Sequence, residues 1–243
     1  MRLELSPALS PSLAPALPQP AAPAALHDVR VFASWLLDGS DSDSVGWLLK
    51  RTLDVLAAVI LLILVSPVLL LAALLVRLSD PGPVVFQQPR AGYRGQPFTI
   101  YKLRTMVQDA PELQSRLLAS QPDRVFFKLS EDPRITRLGR FLRRTSVDEL
   151  PQLINVIRGD MSLIGPRPLP LGEAEKLVWP RDRRRFAVPP GITGLWQVSG
   201  RSLCSDAERL QLDTHYVEEW SLFLDIRILL RTVPAVLTAR GAA

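Results

Sequence analysis

Two adjacent carboxylates, Asp148 and Glu149, are the residues in this chain best suited to do chemistry. They follow an arginine-rich segment ending in Arg143-Arg144 and precede the turn Gly165-Pro-Arg-Pro168. A carboxylate repels an anionic substrate unless cations offset its charge. Lys102, Arg143 and Arg167 are the candidate cations, and arginine suits two-pronged contact with phosphate. One carboxylate is suited to attack on phosphorus, since carboxylates form aspartyl-phosphate intermediates. The other is suited to holding Mg²⁺ or managing a proton. Neighbours on a helix point about 100° apart. The two acids therefore have separate tasks rather than sharing one bond as a facing pair.

The local pattern allows two helix starts. Ser146 and Glu149 fit a Ser-x-x-Glu capping box, which is the purely structural account of Glu149. Pro151 then falls at the fifth helical position. With Asp148 as the N-cap, Pro151 falls at the third, inside the tolerant first turn. Either start places Asp148 at the positive end of a helix dipole.

Several elements must position these groups. Residues 80–104 contain two short β-prone runs around Pro-Arg-Ala-Gly-Tyr-Arg-Gly-Gln-Pro, which predicts a hairpin carrying Lys102. A helix is expected from Met106 to Ala119. Another opens at Asp132-Pro133, with Ile135, Leu138, Phe141 and Leu142 on one face and arginines elsewhere. That pattern suits a helix lying in a membrane interface, and equally a solvated amphipathic helix. Ser205 and Glu208 predict a capping box for a helix to about Glu219. The following segment repeats the apolar-with-arginine pattern. Trp220 and Phe223 there suit either headgroup anchoring or a protein core.

Val55 to Val76 carries no charge and, as a helix, spans about 33 Å, enough to cross a bilayer core. Ser66-Pro67 interrupts it near the middle. Proline removes a backbone hydrogen bond and kinks a helix, and Ser66 can satisfy a freed carbonyl. Basic residues flank both sides, Lys50-Arg51 and Arg77, so the positive-inside rule assigns no polarity. A straight crossing and a helix that bends and returns to the same face both stay open on these residues. The straight crossing is the simpler.

Composition narrows the partners. Of 243 residues, 47% are hydrophobic and 22% charged, so the body is not a disordered chain. The single Cys204 excludes an internal disulfide, and two histidines make a zinc site of His/Cys type a poor fit. A hard, oxygen-liganded Mg²⁺ fits better. The net charge of +5 favours anionic partners. The apolar segment, and the lack of an aromatic stacking platform among the arginines, point to lipid and phosphate rather than nucleic acid. Residues 1–45 are expected to be a disordered Pro/Ala-rich tail and linker.

From about Lys50 to Thr232 the chain resembles the bacterial sugar transferase family, the monotopic polyprenol-phosphate phosphoglycosyltransferases. The similarity rests on Lys50-Arg-Thr-Leu-Asp54, Ser66-Pro67, Asp80-Pro-Gly-Pro83 and Tyr101-Lys-Leu-Arg-Thr-Met106. It continues through Asp132-Pro-Arg-Ile-Thr-Arg137, Thr145-Ser-Val-Asp-Glu-Leu-Pro-Gln-Leu153 and Gly159-Asp-Met-Ser162. Gly165-Pro-Arg-Pro168 and Pro190-Gly-Ile-Thr-Gly-Leu-Trp-Gln-Val198 complete it.

The resemblance implies an α+β, mostly helical, monotopic membrane protein. Its parts would be a kinked re-entrant membrane helix at 46–78, broken at Ser66 and Pro67, and a membrane-associated catalytic domain at 79–243. The latter would hold a small β-hairpin and interfacial amphipathic helices. The implied reaction moves a hexose-1-phosphate from a UDP-hexose to undecaprenyl phosphate and releases UMP. It would occur on the cytoplasmic face of the bacterial inner membrane, as the first membrane step of exopolysaccharide or capsule synthesis. Asp148 looks like the nucleophile and Glu149 its partner, with Mg²⁺ held between these carboxylates and the diphosphate. Lys102, Arg143 and Arg167 are similar in place to the family's phosphate-contacting cations.

In this sequence a Pro-rich segment precedes the core where larger relatives carry several membrane helices and a further domain, so the compact form of the family is expected. Gly194–Arg201 and Leu212–Ser221 are more similar to the hexose branch than to the shortest acetamidosugar branch. The apolar C-terminal helices also suit a homodimer contact. A non-catalytic membrane scaffold of a polysaccharide-assembly complex is the alternative from another class, and it would have no need of the full acidic and cationic set.

Overall fold

The computed structural model describes residues 44–110, 112–113, 132–177, 180–200 and 204–237. Nearly all of the expected N-terminal tail, and half of the helix expected from Met106 to Ala119, lie outside them. Helix α1 (Ser44–Ser79) is followed by the hairpin β1 (Val85–Ala91) and β2 (Pro97–Leu103). Then come α2 (Arg137–Thr145), a 3-10 turn at Val147–Glu149, α3 (Gln152–Arg158), β3 (Ser162–Ile164) and β4 (Leu169–Pro170). The short α4 (Leu171–Ala174) and α5 (Pro180–Arg183) lead to a 3-10 turn at Arg184–Ala187 and β5 (Gly191–Thr193). The chain closes with α6 (Leu195–Ser199), α7 (Asp206–Glu218) and α8 (Leu222–Leu237). The fold is mostly helical with two small sheets, one ordered β2-β1-β4 and antiparallel, the other a parallel β3-β5 pair.

Helix α1 has an apolar surface on both sides of Pro67. Leu56, Ile60, Ile63, Leu64, Val68, Leu70, Leu71, Leu74 and Leu75 are exposed, as an apolar solvent would require. It remains helical through Pro67. Proline has no N–H for the carbonyl of Ile63, four residues back, and the Ser66 hydroxyl donates to that same carbonyl at 2.8 Å. Both halves of α1 pack on the same body. Ala58, with Leu62 and Val65, meets Ile100, Leu153, Val156 and Met161. Ala72 and Val76, with Leu69, meet Leu103 and Leu142.

The basic residues at the start of α1 are occupied by protein. Arg51 donates to the carbonyls of Val156, at 2.6 Å, and Ile157, at 3.1 Å, and so caps the C-terminus of α3. Lys50 pairs with Asp225 of α8 at 2.7 Å, and Asp54 accepts from Ser162 at 2.6 Å. Tyr216 of α7 also donates to Asp225, at 2.8 Å.

Several sequence expectations change in detail. Strand β1 runs through Pro89-Arg90-Ala91, so the hairpin connection shortens to Gly92–Gln96, with Arg94 and Gly95 at positive φ. Met106 is in a β-bridge with Ile135, and helical geometry starts only near Ala110. The helix expected at Asp132-Pro133 begins four residues later, at Arg137. Asp132 instead binds the Arg134 backbone and guanidinium, and Thr136 is the N-cap, accepting from Gly139 N at 2.9 Å. The capping box of Ser205 and Glu208 is present. Trp220 stacks on Trp47 with ring centroids 3.6 Å apart and donates to Asp225, which places its ring against protein, while Phe223 remains exposed.

Gly139 sets how closely α2 approaches the strand extension. A Cβ there would lie 2.0 Å from the carbonyl oxygen of Thr105. Gly139→Ala is expected to push α2 outward and destabilise the fold by about 1–3 kcal/mol, the usual scale of overpacking. Thermal unfolding in detergent checks this as a fall in Tm of several degrees.

Candidate active site

Asp148 and Glu149 follow the start at Ser146 that the sequence allows, but as a 3-10 turn rather than an α-helix and without the capping box. Ser146 ends α2 in the left-handed region, at φ 58°, and its side chain caps nothing. The 3-10 turn Val147–Glu149 follows, and Pro151 is the residue immediately before α3. At that place its missing N–H costs no helical bond. Three residues per turn direct neighbouring side chains well apart. Asp148 accordingly turns inward, at 6% exposure, while Glu149 meets a pair of cations.

Each cation arrives from a different element. Lys102 projects from β2, opposite Phe86 in the register, and its Nζ lies 2.9 Å from Glu149 Oε1. Arg167 sits in the turn between β3 and β4. Its guanidinium bonds Glu149 through both NH groups, at 2.5 Å to Oε1 and 3.3 Å to Oε2. Arg143 comes from α2, and its Nε donates to Thr105 Oγ1 at 2.9 Å. The structure thus brings Lys102 and Arg167 onto Glu149, with Arg143 close enough to influence Asp148. Ser66 and Pro67 lie inside α1, where the expected break is not seen: the helix runs on from Ser44 to Ser79, with the Ser66 hydroxyl on the carbonyl that Pro67 leaves without a donor.

Two local devices hold this arrangement. The fully buried Asn155 of α3 accepts from Tyr101 N at 3.1 Å and donates to Thr99 O at 2.7 Å. Its amide therefore substitutes for a neighbouring strand along β2, which fixes the acids preceding α3 beside Lys102. The Gly165-Pro-Arg-Pro turn rests on β5. Gly165 N donates to Thr193 O and Gly191 N to Pro166 O, both at 2.9 Å. A Cβ on Gly191 would lie 2.1 Å from Gly165 N, so both glycines are required for that backbone contact.

The electrostatics separate the two acids. Burial pushes the Asp148 carboxyl above its ordinary range, and the charge of Glu149 adds to the rise; Lys102, Arg143 and Arg167 oppose it. For Glu149, burial also acts upward, but Arg167 and Lys102 overcome it and hold the carboxyl well below the usual carboxylate range. Burial lowers Lys102 and Arg143 from their ordinary values. One acid is therefore a buried, comparatively basic carboxylate, and the other a fixed anion locked to two cations. That division suits a nucleophile and a separate electrostatic partner.

Among the described residues no group of three or more His, Cys, Asp or Glu forms a metal cage. Asp148 and Glu149 offer the hard oxygens that Mg²⁺ takes together with phosphate and water, although both Glu149 oxygens here accept from Lys102 and Arg167.

Sequence reasoning passed over Arg90, Asn155, Arg185 and Asp213. Burial pushes Arg90 down to about 10, and it donates to the Pro168 carbonyl at 3.1 Å. Arg90 falls in the stretch that reads as the hairpin connection, and Asn155 lies between the segments that carry the family resemblance. Asp213 falls inside the helix expected to run to about Glu219 and Arg185 in an arginine-rich stretch, and nothing local marks the two as partners.

The profile of the Bacterial sugar transferase family matches residues 45–239. The chain is 44% identical over 208 residues to the exopolysaccharide production protein ExoY of Rhizobium meliloti, covering 82% of this chain and 89% of that protein. It is 45% identical over 202 residues to the UDP-glucose:undecaprenyl-phosphate glucose-1-phosphate transferase of Caulobacter vibrioides, covering 79% and 71%. Against the undecaprenyl-phosphate galactose phosphotransferase of Salmonella typhimurium it is 44% identical over 199 residues, which covers 80% of this chain and 41% of the relative. With Asp148, Glu149 and their cations inside the matched region, the chain belongs to the bacterial sugar transferase family.

Proposed function

We propose that this protein transfers a hexose-1-phosphate from a UDP-hexose to undecaprenyl phosphate, as the first membrane step of exopolysaccharide or capsule synthesis. The observation that carries this reading is the division between the two acids. Asp148 is buried and comparatively basic, while Lys102 and Arg167 are anchored on Glu149. An Asp148 carboxylate oxygen attacks the sugar-bearing phosphorus of the donor. An O–P bond forms, the bond from that phosphorus to the UMP oxygen breaks, and UMP departs with the electron pair. A phosphate oxygen of undecaprenyl phosphate then attacks the same phosphorus. The aspartyl-phosphorus bond breaks, the carboxylate is restored, and undecaprenyl diphosphosugar leaves.

Lys102, Arg143 and Arg167 offset charge on the diphosphate during both displacements. Asp148 and Glu149 would hold Mg²⁺, which would supply charge neutralisation at the diphosphate. The names of the Caulobacter and Salmonella relatives specify undecaprenyl phosphate as acceptor, with glucose or galactose as the sugar, in support of a hexose here.

A helix of 36 residues is about 54 Å long, well beyond one hydrocarbon core. Contact of both its halves with one body supports a re-entrant segment that enters and leaves at a single face. The catalytic part at 79–243 then lies at the cytoplasmic side of the inner membrane, where a soluble donor and a lipid acceptor meet. The exposed Phe141 of α2, and Phe223, Ile226 and Leu230 of α8, suit an interface.

The test is UMP release in nanodiscs with undecaprenyl phosphate, Mg²⁺ and a panel of UDP-sugars. Release with a UDP-hexose, lost on adding EDTA, is expected. Absence of release with every donor would favour a membrane scaffold over an enzyme.

A further inference from the structure

Arg185 and Asp213 form an ion pair with Arg185 NH2 2.9 Å from Asp213 Oδ2, and their side chains are 3% and 1% exposed. Neither was part of the sequence-based site. Asp213 lies on α7 and Arg185 in the 3-10 turn Arg184–Ala187. Burying such a pair removes two charges from water, and the mutual attraction often does no more than offset that cost. Stability alone is therefore a weak reason for it. What the pair does geometrically is specific. The same Arg185 NH2 donates to the backbone carbonyl of Arg167 at 2.5 Å. On the next residue, Arg90 donates to the carbonyl of Pro168. A buried guanidinium, Arg185, and a half-buried one, Arg90, thus grip consecutive carbonyls of the turn whose side chain forks onto Glu149.

We infer that Arg185, oriented by Asp213, is a positioning residue that fixes the Arg167 guanidinium against Glu149. The relay runs from α7 through a buried ion pair to one backbone carbonyl, and from there to the cation that meets the anionic substrate. Arg185 itself is too buried to contact that substrate. Its influence passes through Arg167 alone, so removing Arg167 should make Arg185 irrelevant to the site. A role in fold stability would persist without Arg167. The inference rests on the transferase reading only for its kinetic readout.

The experiment is a double-mutant cycle. Arg185→Met with Asp213→Asn removes both charges at nearly constant volume and leaves no buried charge unpaired. Arg185→Lys keeps the charge on a shorter side chain. Each is made in the wild-type and Arg167→Ala backgrounds. Two quantities are read: kcat for UMP release and Kd for inorganic pyrophosphate. In the wild-type background the paired variant is expected to lower kcat and weaken pyrophosphate binding about tenfold, with Arg185→Lys intermediate. In the Arg167→Ala background both effects are expected to shrink below about twofold.

Equal losses in the two backgrounds would overturn the relay, as would wild-type values in folded variants. Should the paired variant fail to fold, Arg185→Lys alone is read by the same criteria. A wild-type protein that binds pyrophosphate yet releases no UMP defeats the transferase reading, and the pyrophosphate cycle still decides the relay. A wild-type protein that does neither overturns both.

Discussion

Replacing Asp148 with Asn is expected to leave the protein in the membrane fraction and to lower UMP release by on the order of 10⁴-fold or more, the scale of losing a covalent nucleophile. The substitution is nearly isosteric at a buried position, so membrane association through the apolar α1 is expected to be unaffected. An amide cannot form the proposed aspartyl-phosphosugar anhydride, so the covalent intermediate is expected to be lost with the turnover. Retained turnover would remove Asp148 from the nucleophile's role. The pH dependence gives a second check on the same residue. In the proposed mechanism only ionised Asp148 attacks. Burial and Glu149 raise its pKa, so the rate falls on the acid side at a pH above the ordinary aspartate value of about 3.9. An acid limb of kcat/KM at or below that value would mean that another group carries the first step.

Glu149→Gln is expected to lower kcat by roughly 10²- to 10⁴-fold, the range for a group acting in proton or charge management. The KM for the donor should stay level or fall. Lys102 and Arg167 are now tied to the Glu149 carboxylate at 2.9 and 2.5 Å, and the neutral amide frees their charge for the diphosphate. Gln can still accept a hydrogen bond from each, so the fold survives. Tighter donor binding with slower chemistry would mark an interaction made in the transition state. Steady-state kcat and KM separate the outcomes, and an unchanged kcat would make Glu149 a structural clamp only.

Much of this site was legible from residue types. The hairpin carrying Lys102, the helix carrying Arg143 and the turn carrying Arg167 all exist where their sequences place them, apart from shifts at the ends. The Ser205 capping box is found because its two residues act on each other locally. The capping box at the acid pair was misread, although Ser146 does open its turn. Ser146 and Glu149 satisfy the capping pattern, yet Glu149 is drawn to Lys102 and Arg167, which are distant in sequence. A local rule loses when a distant ion pair competes for the same carboxylate. The helix at Asp132 was read four residues early for a related reason. Asp132 binds Arg134, and Ile135 pairs with Met106 across the chain, which holds that stretch extended until Thr136 caps α2.

The sequence by itself determined the chemistry available: two acids, three cations, an apolar helix with a central Ser-Pro, and a matching family. These are properties of residue type and spacing, and short-range physics is enough to read them. Only the tertiary structure decided how the acids divide their tasks. Burial of Asp148 and the pairing of Glu149 arise from contacts between β2, the β3–β4 turn and α3, which no local pattern encodes. It also revealed the Asp213–Arg185 pair, joined across 28 positions by folding alone. Such a pair is invisible in one sequence, because the free energy that selects it comes from long-range packing and desolvation rather than from neighbouring residues.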